Sequence, residues 1–171
     1  MTAYELIQQR LNKVKQELKS KPNKFQEAEN EGRLLFARWC YQLKMVPVFD
    51  QSDIKAFDAY DAIANNNYYE IKYKKNVQFS QLEDLVKREG LMLEEIKFNA
   101  LKEVWLKDKT REFYYIMFFE DKTLIHQILF DKPYKIQIIK CPKTTVGDNQ
   151  YIDKNIMLIP FREITITNTL R

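Results

Sequence analysis

Asp61, Glu70 and Lys72 are the residues whose types and spacing could do chemistry, and all three fall in the segment FDAYDAIANNNYYEIKYKKN from Phe57 to Asn76. With Asn65-Asn66 as a two-residue hairpin loop, Ala64 pairs with Asn67 and Asp61 falls opposite Glu70. Side chains opposed in this way have Cβ atoms about 5 Å apart, and like charges there repel unless something neutralises them. Lys72, two residues along the strand from Glu70, projects from the same face at roughly 7 Å. A three-residue loop would shift the register and undo this convergence. Two carboxylates so placed suit a hard, oxygen-seeking cation such as Mg²⁺ or Mn²⁺, which polarises a phosphate and lowers the pKa of a bound water. The lysine can orient or deprotonate that water and offset negative charge in the transition state. Asp58 precedes the same turn, but in this register it points to the opposite face. A plainer reading of the same alternation buries Tyr69, Ile71 and Tyr73 and leaves Glu70, Lys72 and Lys74 as a solvated charged face.

The rest of the inventory leaves carboxylates and lysines as the available catalysts. His126 is the one histidine, which removes Ser-His-Asp, Cys-His and HExxH chemistry for want of partner motifs. Three glycines provide no Gly-rich phosphate loop, so ATP-driven and NAD-dependent functions are not expected. Cys40 and Cys141 lie far apart without metal-ligand spacing and read as reduced structural thiols. The formal net charge of +4 permits a polyanionic partner without requiring one.

These residues need elements to hold them. The apolar spacing of Leu6, Leu11, Val14 and Leu18 predicts an amphipathic helix from Thr2 to about Ser20, ended by Lys21-Pro22-Asn23. Phe25, Ala28, Leu35, Phe36 and Trp39 predict a second helix to Tyr41, with a stripe that needs a sheet to cover it. A short strand at Val46 to Phe49 and a polar connection from Asp50 to Lys55 lead into the hairpin, with strands at Phe57 to Ala64 and Tyr68 to Lys74. Ser80 with Glu83 resembles a capping box opening a helical region from Gln81 to about Lys107, interrupted near Gly90. Within it Leu93, Ile96, Ala100, Leu101, Val104 and Trp105 keep the helical period. Four further strands are expected at Glu112 to Phe119, Thr123 to Phe130, Tyr134 to Lys140 and Asn155 to Phe161, with a polar loop from Lys143 to Lys154. The order of helices, hairpin, helix and strands is an α+β or mixed α/β pattern, and the 171 residues read as one domain.

Asp61, eight intervening residues and then Glu70-Ile71-Lys72 on two paired strands resemble the Asp and Glu-x-Lys signature of the PD-(D/E)XK nuclease superfamily. Its members include restriction enzymes, Holliday-junction resolvases and many phage nucleases. Tyr60 stands where the family's proline is expected. The order of elements is also similar to the family core, in which a helix precedes a β-meander and another helix and strand follow. The resemblance covers about residues 25–119 and leaves 120–171 as a C-terminal β elaboration. It implies a restriction-endonuclease-like fold, a central mixed sheet flanked by helices. It also implies a Mg²⁺- or Mn²⁺-dependent nuclease that hydrolyses phosphodiester bonds, of DNA before RNA. Asp61 and Glu70 would be the metal ligands and Lys72 the catalytic lysine. Family members often add a glutamate from the preceding helix, here Glu31, with Glu27 and Glu29 as alternatives. Restriction-type and junction-resolving enzymes commonly work as dimers, so a homodimer is an expectation of the same kind.

Lys74, Lys75 and Lys97 are candidates for gripping a phosphate backbone, with surface lysines kept for solubility as the commoner explanation. Lys102 and the loop carrying Lys143, Thr144 and Thr145 are weaker candidates. Trp39 and Trp105 read as core, and His126 as a hydrogen-bonded structural residue. No stretch approaches the roughly 20 apolar residues of a membrane span, and the start of the chain lacks the apolar run of a signal peptide. A cytoplasmic protein is expected, in the host cytoplasm if it is viral. Two rivals stand beside the nuclease: a catalytically inactive nucleic-acid-binding or structural, virion-associated protein on the same fold, and an unrelated α+β interaction domain.

Overall fold

A computed structural model of the protein describes residues 3–17, 24–49, 59–142 and 151–169. Among them are four helices and nine strands in a mixed α+β arrangement: α1 (Ala3–Glu17), α2 (Lys24–Gln42), β1 (Val48–Phe49), β2 (Ala62–Ala64), β3 (Asn67–Tyr73), α3 (Glu83–Glu89), β4 (Leu91–Glu94), α4 (Glu95–Lys107), β5 (Phe113–Phe118), β6 (Lys122–Gln127), β7 (Lys135–Pro142), β8 (Tyr151–Ile159) and β9 (Thr165–Asn168).

The main sheet has the order β1-β2-β3-β5-β6-β9. Only β3 and β5 run parallel, Glu70 lying beside Tyr115 and Lys72 beside Met117; the other neighbours are antiparallel. A parallel pair needs a long crossover, and here it contains α3, β4 and α4. Strand β4 leaves the main sheet and pairs instead with β8 in a three-stranded sheet of order β4-β8-β7.

Alternation along β3 divides the core. Tyr69 and Ile71, with Ile116 and Phe118 of β5, pack against Phe36 and Cys40 of α2. Gly32, Phe36 and Cys40 recur every fourth residue, forming one buried helical row. Gly32 marks the closest approach of that helix, since a Cβ there would lie 3.1 Å from the Cβ of Tyr73. Helix α1 adds Leu11 and Val14 against Ala37 on the outside of α2. On the other face, Tyr68, Phe113, Tyr115 and Met117 meet Phe98 and Leu101 of α4 and Met157 and Ile159 of β8. Glu70 and Lys72 therefore project toward α4 and the small sheet, away from α2.

Several expectations are corrected. The predicted helical region breaks at Gly90 as expected, but Leu91–Glu94 then form a strand rather than helix, paired with Ile156–Ile159. Ile96 is 59 % exposed rather than core, because the buried side of α4 is set by Phe98 and Leu101. Ser80 and Glu83 do not form the capping box; Gln78 N–H donates to Gln81 Oε1 at 2.8 Å and closes that turn instead. Tyr151 to Lys154, expected in a loop, belong to β8, and β9 was not expected. Residues 18–23, 50–58 and 143–150, including Asp58 and the Lys143 to Thr145 stretch, lie outside the described residues.

Candidate functional site

The hairpin that carries the acids turns on Asn65 and Asn66, with φ of 46° and 66°. Positive φ at both central residues defines the tight turn whose twist matches paired strands, and asparagine tolerates it better than most residues. Its register pairs Ala64 with Asn67 and Ala62 with Tyr69, as the two-residue loop requires. Strand β2 stops at Ala62, one residue short of Asp61. Asp61 lies in a bend outside the ladder, bonded to the partner of Ala62 rather than paired with Glu70 as the hairpin register predicts. Its N–H donates to Tyr69 O at 2.9 Å, and its Oδ2 accepts from Ile71 N–H at 2.7 Å, where a backbone carbonyl of a longer β2 would have stood. Its Oδ1 lies 3.9 Å from a guanidinium nitrogen of Arg33 on α2, which is itself held by Glu29 at 2.9 Å.

Glu70 has no exposed surface. Lys72 Nζ lies 3.2 Å from its Oε1, and Lys97 Nζ, delivered by the first turns of α4, lies 3.2 Å from its Oε2. Each oxygen is buried and faces one ammonium at ion-pair distance, Lys72 also lowering the carboxyl's pKa through a side-chain hydrogen bond. Burial, and secondly the nearby Asp61, push the Glu70 carboxyl up, while Lys72 and Lys97 pull it back only in part. Desolvation pulls the Lys72 ammonium down, but Glu70, Tyr115 and Asp61 outweigh it and hold it above the usual lysine range. Lys72 therefore stays charged. It can neutralise anionic charge, whereas removing a proton from water would need its neutral form. Tyr115, buried beside Glu70, donates its hydroxyl to Met92 O at 3.0 Å and leaves the carboxylate alone.

Glu31 bonds Lys75 at 2.6 Å on the α2 side of the sheet. Arg33, two residues on, is the α2 side chain that reaches Asp61. The structure thus gathers Asp61, Glu70 and Lys72 with Arg33 and Lys97, and sets Glu31 with Lys75. Lys74 is exposed at the end of β3, and Glu27 and Glu29 are also exposed. Arg33 was not singled out from the sequence; the signal available was Gly32, a glycine inside a helix, which announces close backbone approach. By sequence Lys97 reads with the basic surface residues, whereas the structure sets it against the Glu70 carboxyl.

Among the described residues there is no group of three or more His, Cys, Asp or Glu side chains placed to hold a metal ion. A pair of carboxylates is nonetheless within what Mg²⁺ uses, since it keeps several waters and often takes one or two protein carboxylates. Each oxygen of Glu70 already faces an ammonium, so such an ion would have to displace one of them to bind there. Away from this site, His126 sits buried between Glu163 O at 3.1 Å and Tyr134 Oη at 3.0 Å, and its pKa is lowered chiefly by burial. Because the carbonyl can only accept, Nδ1 carries the proton, and Nε2 accepts from Tyr134, an arrangement of neutral imidazole. Trp39 and Trp105 pack against the core clusters, and both cysteines are free. No described helix is long and apolar enough to cross a membrane.

No protein-family model matches the chain, and neither the curated proteins nor the solved structures compared with it gave a match.

Proposed function

We propose that the protein is a metal-dependent nuclease of the PD-(D/E)XK type, hydrolysing phosphodiester bonds of nucleic acid, DNA before RNA. The observation that carries this reading is the wholly buried Glu70 carboxyl, close to Asp61, with a lysine ammonium at each oxygen. Proteins rarely bury such a group without a use for it. The succession of α2, the β1-β2-β3 meander, the helical crossover and parallel β5 agrees with what the sequence resemblance implies for a restriction-endonuclease-like core.

Asp61 and Glu70 would hold Mg²⁺ or Mn²⁺, and when bound the ion polarises the phosphate and acidifies a water. Lys72, charged and with 46 % of its side chain exposed, stabilises negative charge developing on the phosphate. Asp61 is fixed by Ile71 N–H and steadied by Arg33, so its carboxylate needs no reorganisation to bind. Lys74 and Lys75, exposed past the end of β3, suit a salt-dependent grip on flanking phosphates. Glu31 would join the site only on release from Lys75. A cytoplasmic location, in a host cell if the protein is viral, and a homodimer acting on DNA belong to the same reading.

Lys72→Ala is expected to abolish Mg²⁺-dependent cleavage of plasmid DNA while keeping the folded circular-dichroism spectrum, with the melting transition lowered because Glu70 loses one of its two cations. Undiminished cleavage by that variant would remove Lys72 from its role. A second reading has one observation in its favour: Arg33, Lys72 and Lys97 already lie within 4 Å of the two carboxylates, so the cluster is self-neutralising. A non-catalytic nucleic-acid-binding or virion-associated structural protein would use it only as an ion network. That reading predicts salt-sensitive binding without metal-dependent cutting.

A further inference from the structure

We propose that Lys97 is the internal counter-ion of this site, holding Oε2 of Glu70 in the metal-free protein and giving way when a divalent cation binds. The inference rests on the metal-binding reading above and concerns what precedes the metal. A carboxylate removed from water keeps its charge only beside a compensating group. Glu70 has two, one per oxygen, and they come from different elements. Lys72 shares its strand and stays two residues away however Glu70 turns. Lys97 is brought across by α4, whose position is fixed independently by Phe98 and Leu101 in the core. Its side chain is 21 % exposed, so the ammonium has a way out toward solvent without moving the helix. Once displaced, it stands at the rim of the site as a charged donor facing whatever anion the metal brings, and for the proposed substrate that anion is a phosphate oxygen.

An internal cation competes with an external one for the same carboxylate. Removing one unit charge at this range, at an effective dielectric of about 20, should tighten divalent-cation binding by about ten-fold or more. The experiment is calorimetric titration of Mn²⁺ alone into metal-free protein at low ionic strength, repeated at pH 7 and pH 8.5 so that the proton taken up by Glu70 when Lys97 is neutralised is separated from metal affinity, the higher pH being decisive. It compares wild type, Lys97→Met, Lys97→Gln, Lys97→Arg and a charge control on the same helix, Lys107→Met, with Asp61→Asn added to each to identify the site. The expected result is a dissociation constant at least about ten-fold lower in Lys97→Met and Lys97→Gln, with Lys97→Arg and Lys107→Met close to wild type. Mn²⁺ binding seen only after Lys97 is neutralised, and abolished by Asp61→Asn, would support the counter-ion equally. Equal affinity in wild type and both neutral variants would overturn the counter-ion while leaving the metal site standing. No Asp61-dependent binding in any protein would overturn both.

Discussion

Glu70 experiences the fold differently in its two protonation states, and the difference is measurable without any substrate. Burial and the neighbouring Asp61 push its pKa up from 4.5 to about 7. Between those values the folded chain binds more protons than the unfolded chain, so stability falls as pH rises and the full penalty is present above the folded value. Glu70→Gln keeps the shape of the neutral acid and removes that penalty. At pH 8 the variant is expected to be more stable than wild type by about 1–3 kcal/mol, and at pH 4 the two should melt together. Chemical denaturation at both values reads this directly; a variant less stable than wild type at pH 8 would mean that the two lysine contacts outweigh desolvation. Stability given up at a site and recovered by neutralising it is the pattern expected of a functional residue. At this scale the sequence made Glu70 and Lys72 legible as neighbours on one face of β3, because strand alternation is local, whereas the Asn65-Asn66 turn sets the pairing only as far as Ala62 and leaves Asp61 beyond it. Arg33 and Lys97 were not legible as members of the cluster, since their approach is decided by how α2 and α4 pack.

At the scale of elements, the strong local signals carried over and the weak ones did not. Helices α1 and α2, the hairpin and strands β5 and β6 follow periodicity and turn residues that a few neighbours suffice to define. Strand β4 offers only Leu91 and Leu93 in alternation, four residues that fit a helical stripe equally well, and it becomes a strand by pairing with β8, far along the chain. Strand β9 is exposed at every residue, so it has no apolar face to read. Gly90 is what lets β4 form. Its φ is 95°, and a Cβ there would come within 2.6 Å of Ile159 O. Gly90→Ala should therefore cost about 2–4 kcal/mol, from backbone strain together with displacement of the β4–β8 pair. Hydrogen exchange at Leu91 to Glu94 would accelerate most, whereas a loss below about 0.5 kcal/mol would show that the strands can separate freely.

Across the whole molecule, the mixed sheet and its two coverings explain why a charged cluster can sit in the interior at all. Helix α2 on one face and α4 with the small sheet on the other each contribute a cation, so the acids on the β2–β3 hairpin are compensated from both sides of the sheet. The parallel β3–β5 pair lies at the centre of that sheet, where neighbouring strands fix Glu70 on a rigid element rather than a loop. The mild positive charge of +4 is compatible with a polyanionic partner, but a fold hosts many activities and any specific function lies with the site. The most direct measurement is a crystal structure of the protein soaked in Mn²⁺, with anomalous scattering used to locate the ion. The account predicts a peak about 2.0–2.3 Å from carboxylate oxygens of both Asp61 and Glu70, with Lys97 moved off Oε2. A map without a peak there, with Lys72 and Lys97 still seated on Glu70, would contradict it.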